Sequence, residues 1–523
     1  MFFQTQKKTE TQRVVLIILD GWGRGKQDLS NPLAEAHLPT IQYLEDNYPS
    51  GSLQASGIAI GLPWGDVGNS EVGHLTLGAG KILYQHYPRI TIAIQNGNFF
   101  QIPAFLEAAE HVKKHKSKLH LLGVLTSGTV HAAFDHVLAL VEMAKKNKVE
   151  RLYLHPFGDG RDGPPEGGLA LIQKLQEHLT KMGLGTIAST CGRYYAMDRD
   201  KNWDRTQQAY ELITKGVGAY AKTLDEAFQS TYEKKLSDEF IPPYTFLNPQ
   251  EENGFIEDND AVIFWDFRED SIRQIATPFS LPGFNTFPAT IPSNLHVTTM
   301  TQYEDVFTAK VAFPLEQVAS PLSKVVSEAG KKQLKMAETD KYAHVTYFFN
   351  GFRDEPFPGE DRILVPSKSL TSKESAPEFM APEITRQLLE AIKNNHYDLI
   401  VVNYANADLI AHAGEYDLAR ESVEVLDTQL GQIVPLIETL PDYHLIITSD
   451  HGNVESVRDP YTGEPKTKHD INPVPFYIVN TKLKMQHKEI GDGALNDVAP
   501  TILHLLNTPI PQDMTGKNLL EGL

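Results

Sequence analysis

Acidic and histidine side chains occur together in two short segments of the C-terminal half of the chain. In NADLIAHAG, Asp408 and His412 are four residues apart, so on a helix they lie on one face and could share a metal ion. In SDHGN, Asp450 and His451 are adjacent, and in an extended chain they would point to opposite sides and could serve two different ions. Either pair alone is equally typical of a solvated helix face or a capping turn.

Two more candidate ligands lie elsewhere in the chain. Asp20 follows an aliphatic run in LDGWG, where an aspartate before glycine also fits an ordinary turn. His469 precedes INPVPF and, taken alone, would be a surface loop histidine. Three carboxylates near strand ends together with three histidines favour a metal site. Mixed oxygen and nitrogen ligands suit Mn²⁺, Zn²⁺, Co²⁺ or Mg²⁺, whereas a metal that prefers thiolates is not expected.

A serine in a glycine-rich segment is the candidate nucleophile. Ser70 lies in GDVGNSEVGH, and by itself it would be interpreted as a turn serine or a helix N-cap. A hydroxyl bound to a metal loses its proton far more easily than a free one, so a nearby metal site would activate Ser70. Asn69 could donate to a phosphate oxygen, and the glycines allow the backbone to approach a phosphoryl group. These residues predict metal-dependent phosphoryl transfer.

Buried parallel strands are predicted to position these groups. Short aliphatic runs that end in polar residues are found at 13–20, 398–406 and 444–452, and a helical pattern with apolar residues three and four apart separates the last two. This alternation indicates a doubly wound α/β sheet, in which ligands bind beyond the carboxyl ends of the strands.

The middle of the chain is also predicted to have an α/β fold. Strands are predicted at 118–126, 151–159, 184–190 and 260–267. Because the first strand and the last strands carry the two halves of one acidic site, the middle is predicted to be a second domain inserted into the first. The expected domains are 1–83 with 307–523 for metal binding, and 84–306 for substrate binding. The polar segment 366–377 is predicted to be an exposed loop.

Composition restricts the partners. The formal net charge is −19, which argues against nucleic acid and requires local cationic groups for any phosphate substrate. The longest early aliphatic run, Val14 to Leu19, is too short for a membrane span or a signal-peptide core. One cysteine, Cys191, cannot form an internal disulfide. A soluble, cytoplasmic protein is expected, without nucleic acid or membrane partners.

Several motifs together resemble a known family. LDGWG, GNSEVGH, NYANADLIAH, SDHGN and HDINPVPF are similar to the alkaline phosphatase superfamily and, within it, to the cofactor-independent phosphoglycerate mutases. FGDGRDGPP (157–165), GRYYAMDRD (192–200), WDRTQQAY (203–210) and AETDKYAHVTYFFNG (337–351) extend the resemblance over nearly the whole chain. It implies an alkaline-phosphatase-like fold and an isomerase that interconverts 3-phosphoglycerate and 2-phosphoglycerate, a step of glycolysis and gluconeogenesis.

The resemblance also implies roles for individual residues and a cofactor. It implies two divalent metals, Mn²⁺ being the expected one, a phosphoserine intermediate on Ser70, no 2,3-bisphosphoglycerate, and a monomer. One metal would be held by Asp408, His412 and His469, and the other by Asp20, Ser70, Asp450 and His451. His131 and Asp162 would handle protons, and the substrate would be contacted by His131, Arg161, Asp162, Arg193, Arg199, Arg268 and Lys341. Without the motifs, each arginine would be an ordinary surface charge and His131 a core histidine.

Two segments depart from the family pattern. TSGTVHAA stands around His131 where the family usually has SDGGVHSH, and Ser271 occupies a position where F-R-x-D-R-x-R has a substrate arginine. Arg273 is a possible substitute. These changes do not affect the predicted metal ligands. They alter predicted substrate contacts, so the sequence does not predict how tightly the substrate binds. Two alternatives are considered. The protein could be a phosphatase or phosphopentomutase of the same superfamily, or a protein that binds phosphoglycerate or metal without turnover.

Overall fold

The computed structural model describes residues 12–247, 253–368, 377–485 and 489–521. The chain divides into two compact units. Unit 1 consists of Met1–Gln85 with Glu316–Leu523, and unit 2 of His86–Leu315. Among the helices of the described ranges, none has the length and apolar character needed to span a bilayer. Most of the loop predicted at 366–377 lies outside the described residues.

The regular elements of the described ranges alternate between strands and helices. The strands are β1 (Arg13–Leu19), β2 (Ser50–Gln54), β3 (Leu119–Leu125), β4 (Leu152–Gly158), β5 (Thr186–Ile187), β6 (Ser189–Gly192), β7 (Ala219–Tyr220), β8 (Tyr244–Thr245), β9 (Ala261–Phe264), β10 (His296–Thr299), β11 (Lys310–Val311), β12 (Gln333–Glu338), β13 (Glu360–Val365), β14 (Leu399–Tyr404), β15 (Tyr443–Thr448), β16 (Val474–Val479) and β17 (Gly493–Ala494). The helices are α1 (Pro39–Asn47), α2 (Ser70–Ala79), α3 (His86–Gln95), α4 (Pro103–His115), α5 (Phe134–Lys146), α6 (Gly168–Met182), α7 (Arg193–Ala196), α8 (Trp203–Lys215), α9 (Leu224–Tyr232), α10 (Glu269–Ser280), α11 (Leu322–Glu328), α12 (Ala381–Asn394), α13 (Asn406–Ala411), α14 (Tyr416–Glu438) and α15 (Val498–Leu505).

Unit 1 contains one sheet in the order β13-β12-β14-β1-β15-β16-β2-β17. The run from β13 to β15 is parallel, whereas β16 is antiparallel to both of its neighbours. The strands predicted at 13–20, 398–406 and 444–452 are confirmed as β1, β14 and β15, which lie side by side at the centre of the sheet.

Both faces of the central strand β1 are buried. Val15, Ile17 and Leu19 pack in a cluster with α1, α12 and α14. The alternate residues Val14, Leu16 and Ile18 pack with α2, α11 and α15. A strand covered on both faces is apolar along its whole length, which explains the unbroken sequence VVLIIL. The predicted doubly wound α/β class of this unit is confirmed.

Unit 2 has a second sheet in the order β11-β10-β9-β3-β4-β6-β8-β7, with β5 beside β4. Its central pairs, β9 with β3 and β3 with β4, are parallel. Strands predicted at 118–126, 151–159 and 260–267 are confirmed as β3, β4 and β9, and the segment 184–190 is divided between β5 and β6. A second α/β unit therefore interrupts the sequence of the first, as predicted.

Candidate active site

Three buried carboxylates follow the central strands of unit 1. Asp20 comes directly after β1, and Asp450 lies two residues after β15. Asp408 lies in α13, which begins two residues after β14. Because these three strands are neighbours and parallel, their carboxyl ends meet at one edge of the sheet. The three carboxylates are almost completely shielded from solvent.

One group of potential metal ligands comprises Asp20, Asp450 and His451, whose ligand atoms all lie within 4.8 Å of one another. His451 Nε2 is 3.6 Å from both Asp20 Oδ1 and Asp450 Oδ2. The side chains of Asp450 and His451 therefore point into one candidate group, not to opposite sides of the chain. The strand ends at Thr448, and Asp450 Oδ1 accepts hydrogen bonds from the backbone N–H groups of His451 and Gly21, so the alternation of an extended chain no longer applies.

A second group comprises Asp408, His412 and His469. The Nε2 atoms of His412 and His469 lie 3.3 Å and 3.4 Å from Asp408 Oδ1. Each histidine uses Nδ1 to donate to a backbone carbonyl, that of Thr467 at 3.0 Å and that of Gly68 at 2.7 Å. A carbonyl can only accept, so each Nδ1 carries a hydrogen and each Nε2 faces Asp408. Nε2 donates to Asp408 when the ring is protonated and offers a lone pair to a metal when the ring is neutral. These donors fit a divalent metal.

The electrostatics agree with an ionised carboxylate in this second group. Burial alone would raise the pKa of Asp408, but its hydrogen bonds with His412 and His469 and the nearby charge of Lys341 lower that pKa well below the ordinary value. The same interaction with Asp408 raises the pKa of His412. Metal binding to this pair of histidines requires their neutral form, so it competes with protons.

Ser70 is the first residue of α2, and Asn69 rather than Ser70 caps this helix by accepting a hydrogen bond from Val72 N at 3.0 Å. The hydroxyl of Ser70 is directed to the first ligand group. Ser70 Oγ lies 3.0 Å from His451 Nε2 and 3.2 Å from Asp20 Oδ1. The serine predicted to be the nucleophile therefore shares its surroundings with the predicted metal ligands.

Lys341 lies among these groups in unit 1, at the end of a short 3₁₀ helix that follows β12. Its ammonium donates to Asp20 Oδ1 at 2.5 Å, to Asp408 Oδ2 at 2.6 Å and to Ser70 Oγ at 2.8 Å. Burial opposes the charge, but the carboxylates of Asp20, Asp408 and Asp450 raise the pKa of Lys341 overall. The ammonium therefore remains charged beside the serine oxygen.

Two buried side chains that the sequence did not single out hold the first ligand group in place. Asn403, on β14, donates from Nδ2 to Asp20 Oδ2 at 2.7 Å and lies 3.0 Å from His74 Nε2. His74 Nδ1 is 3.1 Å from Asp450 Oδ2 and 2.9 Å from the carbonyl oxygen of Ser70. Both residues lie inside motifs that carry the family resemblance. His74 is also four residues after Ser70 on α2, and residues with this spacing share one face of a helix, so the sequence could have indicated His74 as a site residue.

Glu455 organises the loops around the second group. Its Oε2 accepts from the backbone N–H groups of Gly23 and Asn453, at 2.9 Å and 2.8 Å. Asn453 in turn donates from Nδ2 to Asp408 Oδ1 at 2.8 Å. Burial raises the pKa of Glu455. The loop after β1 and the loop after β15 are thereby tied to one carboxyl group, which positions Asp408.

Unit 2 contains a cavity of about 400 Å³ that brings together all of the substrate residues predicted in this unit. They are His131, Arg161, Asp162, Arg193, Arg199 and Arg268. His131 Nδ1 donates to Asp162 Oδ2 at 2.6 Å. Burial raises the pKa of Asp162, but the bond with His131 and the charge of Arg193 lower it overall, so this carboxylate is ionised.

Each predicted substrate arginine of unit 2 has a carboxylate partner within the unit. Arg161 pairs with Glu239. Arg193 Nη1 lies 2.7 Å from Asp159 Oδ1 and 3.2 Å from Asp162 Oδ1. These partners hold the guanidinium groups in position, so an anionic ligand meets arginines whose conformations are already set.

Asp270 is the partner of the two remaining arginines and was not predicted. Its Oδ2 lies 3.1 Å from Arg199 Nη1 and 3.0 Å from Arg268 Nη2, and its Oδ1 is 3.2 Å from His131 Nε2. Ser271, the departure from the family pattern, also lines the cavity. Arg273, the possible substitute, does not line it. Its Nε donates to the carbonyl oxygen of Tyr303 at 2.8 Å.

Comparisons with known proteins place the chain in a family. Residues 90–305 match the model described as BPG-independent PGAM N-terminus. The 2,3-bisphosphoglycerate-independent phosphoglycerate mutase of Ectopseudomonas mendocina is 42% identical over 97% of this chain and 98% of its own length. The enzyme of that name from Chloroflexus aurantiacus is 43% identical over 98% and 99%. The chain belongs to the 2,3-bisphosphoglycerate-independent phosphoglycerate mutase family.

A solved structure agrees with this assignment. A crystal structure of Leishmania mexicana phosphoglycerate mutase at low cobalt concentration has a TM-score of 0.51 and 27% identity, with 98% of each chain covered. The resemblance to the cofactor-independent phosphoglycerate mutases is confirmed, and the protein is an enzyme of the isomerase class.

Proposed function

We propose that this enzyme interconverts 3-phosphoglycerate and 2-phosphoglycerate through a phosphoserine on Ser70, with two divalent metals and without 2,3-bisphosphoglycerate. The observation that carries the proposal is the setting of Ser70 Oγ, which contacts Lys341 Nζ at 2.8 Å, His451 Nε2 at 3.0 Å and Asp20 Oδ1 at 3.2 Å. A hydroxyl flanked by a cation and by potential metal ligands is suited to nucleophilic attack on phosphorus.

The two ligand groups of unit 1 are proposed to hold the metals. Asp408, His412 and His469 would hold one, and Asp20, Asp450, His451 and Ser70 the other. When bound, the metals would lower the pKa of the serine hydroxyl and neutralise charge on the phosphoryl oxygens. The donor set supports Mn²⁺, with Mg²⁺, Co²⁺ and Zn²⁺ also compatible.

Ser70 carries the phosphoryl group between the two glycerate oxygens. Its Oγ attacks phosphorus in the deprotonated form, a bond from Oγ to phosphorus forms, and the bond to the O3 oxygen of glycerate breaks. In the second half, the O2 oxygen of glycerate attacks the phosphoserine and the bond from phosphorus to Oγ breaks. The Lys341 ammonium stabilises negative charge on Oγ each time that oxygen is the attacking or the leaving group.

Unit 2 is proposed to bind glycerate and to move its protons. Arg193, Arg199 and Arg268 would hold the carboxylate in bidentate contacts. His131, oriented by Asp162, would donate a proton to the departing O3 oxygen and accept one from the O2 hydroxyl. Glycerate must remain bound between the two halves, since water would otherwise hydrolyse the phosphoserine.

Phosphorus NMR of metal-reconstituted enzyme with 3-phosphoglycerate, and no bisphosphoglycerate, tests the function. A growing 2-phosphoglycerate signal is expected, and inorganic phosphate as the sole product would instead identify a phosphatase. Ser70→Ala should abolish turnover, whereas Ser56→Ala, a half-buried serine that donates to the carbonyl of Ile471, should retain it. Substantial turnover by Ser70→Ala would refute the nucleophile. That the protein is monomeric and cytoplasmic remains a prediction.

A further inference from the structure

A serine, a histidine and an aspartate form a hydrogen-bonded line in the cavity of unit 2. Asp162 Oδ2 lies 2.6 Å from His131 Nδ1, and Ser271 Oγ lies 3.3 Å from His131 Nε2. A carboxylate can only accept, so Nδ1 carries a hydrogen, and in the neutral ring Nε2 offers a lone pair. The Ser271 hydroxyl donates to Asp270 Oδ1 at 3.2 Å, and rotation about its C–O bond redirects it to Nε2. This is the connectivity that turns a serine into a nucleophile, at a separation common in ligand-free sites.

The neighbouring charges support proton transfer from Ser271 to His131. Asp270 Oδ1 lies 3.2 Å from both Ser271 Oγ and His131 Nε2. A carboxylate at that distance stabilises the imidazolium formed when Nε2 takes the serine proton. Arg199 and Arg268 both pair with the other oxygen of Asp270, which limits the negative charge that the nucleophile meets.

The cavity also restricts what Ser271 can reach. Five arginines line it, namely Arg161, Arg193, Arg199, Arg205 and Arg268. Four carboxylates oppose them, namely Asp162, Asp198, Asp200 and Glu239. Asp159 and Asp270 pair with these arginines as well, so the cavity carries no surplus of positive charge. The side chains of Arg161, Arg199 and Arg268 are nevertheless about half exposed, so their free N–H groups can contact an anionic ligand, and a volume of about 400 Å³ favours a small one.

We propose that Ser271 is a second nucleophile, which hydrolyses esters of small carboxylic acids that carry another anionic group. Oγ adds to the ester carbonyl while its proton passes to His131 Nε2. The bond from the carbonyl carbon to the alcohol oxygen then breaks, and the alcohol leaves with that proton. Water, deprotonated by His131, attacks the acyl-serine, which releases the acid and restores the Ser271 hydroxyl. Arginines of the cavity stabilise the tetrahedral oxyanion.

This activity is independent of the proposed mutase reaction in one decisive respect. Ser70, the proposed mutase nucleophile, belongs to unit 1, whereas the residues of the serine-histidine-aspartate line belong to unit 2. Ester hydrolysis should therefore persist in Ser70→Ala, in which phosphoglycerate isomerisation is lost. The Ser70→Ala enzyme is the background in which the second activity is best measured.

The experiment combines a covalent probe with two esters. Ser70→Ala protein is treated with a fluorophosphonate, and the labelled residue is located by peptide mass spectrometry. Hydrolysis of mono-4-nitrophenyl succinate, which carries a carboxylate, is compared with that of the neutral 4-nitrophenyl butyrate. We expect the label on Ser271, faster hydrolysis of the anionic ester, and a loss of about 10²-fold or more in Ser271→Ala.

Two further variants separate chemistry from folding. Asp162→Asn should slow labelling while Ser271 is still present, because the amide lacks the carboxylate charge and can donate to Nδ1, which favours the unproductive tautomer of His131. Ser127→Ala removes an exposed serine of the same loop as His131 and should label and hydrolyse like the background enzyme. Circular dichroism verifies folding in each case. A label on another residue, equal hydrolysis by Ser271→Ala, or preference for the neutral ester would overturn the proposal.

Discussion

Replacing Asn403 by leucine tests whether this buried amide positions the metal ligands. Its Nδ2 donates to Asp20 Oδ2 at 2.7 Å and lies 3.0 Å from His74 Nε2, the residue whose other ring nitrogen is 3.1 Å from Asp450 Oδ2. Asn403 is fully shielded from solvent. Leucine has a similar volume but no polar group, so both contacts are lost without a large cavity.

The size of the effect follows from what Asp20 loses. A hydrogen bond to a charged group contributes about 1.5–3 kcal/mol, and its loss leaves a buried carboxylate oxygen without that donor. Partners that orient a metal ligand typically change metal affinity by about 10- to 100-fold, which corresponds to about 1.4–2.7 kcal/mol. We therefore expect Mn²⁺ to bind Asn403→Leu about 10- to 100-fold more weakly.

Asn480→Leu is the matched control. Asn480 is equally buried in unit 1, and its Nδ2 donates to the carbonyl of Tyr443 at 2.8 Å, at the start of β15 rather than at its metal-facing end. Both variants should lose folding free energy in urea titrations, but only Asn403→Leu should lose Mn²⁺ affinity in calorimetry of chelator-treated protein. Equal Mn²⁺ affinity in the two variants would refute the positioning role.

Three further outcomes follow from the same geometry. Asp162→Asn should lower kcat by about 10²–10⁴-fold without changing Mn²⁺ affinity, because the amide lacks the carboxylate charge and can donate to Nδ1, which favours the wrong tautomer of His131; an unchanged kcat would contradict this. Lys341→Met removes the cation 2.8 Å from Ser70 Oγ and should lower kcat at saturating metal by about 10²–10³-fold, which steady-state kinetics can test. Burial lowers the pKa of His136 from 6.5 to about 4, so the unfolded chain binds more protons below pH 6.5 and stability is lost as pH falls. Between pH 7.5 and 5.5 the free energy of unfolding, measured by urea titration, should fall by about 1.3 kcal/mol for this reason, and His136→Phe should remove that part of its pH dependence.

Much of unit 1 could be predicted because its central strands are covered on both faces. Such strands must be continuously apolar, and the runs at β1, β14 and β15 are short, aliphatic and followed by polar residues. The prediction that Asp20, Asp408 and Asp450 converge rested on one physical rule, that parallel strands bring their carboxyl ends to one edge. The structure places these three carboxylates there, in two groups with His412, His451 and His469.

Other features could not be read from local patterns. The chain direction after β15 depends on hydrogen bonds from Gly21 and His451 to Asp450, and Gly21 is more than 400 residues away in the sequence. The pairing of Arg199 with Asp270, and the bond of Arg273 to Tyr303, likewise depend on neighbours that tertiary folding supplies. An isolated arginine or asparagine carries no signal of which partner it will meet.

The sequence by itself determined the α/β class, the family and the candidate ligand and nucleophile types, because these depend on periodicity and on motifs that are local along the chain. Tertiary structure alone decided that Lys341 contacts Ser70 in unit 1, that Asn403 and His74 hold Asp20 and Asp450, and that Ser271 faces His131. Hydrogen bonds are directional over about 3 Å, so such contacts exist only once the folded backbone has placed both partners.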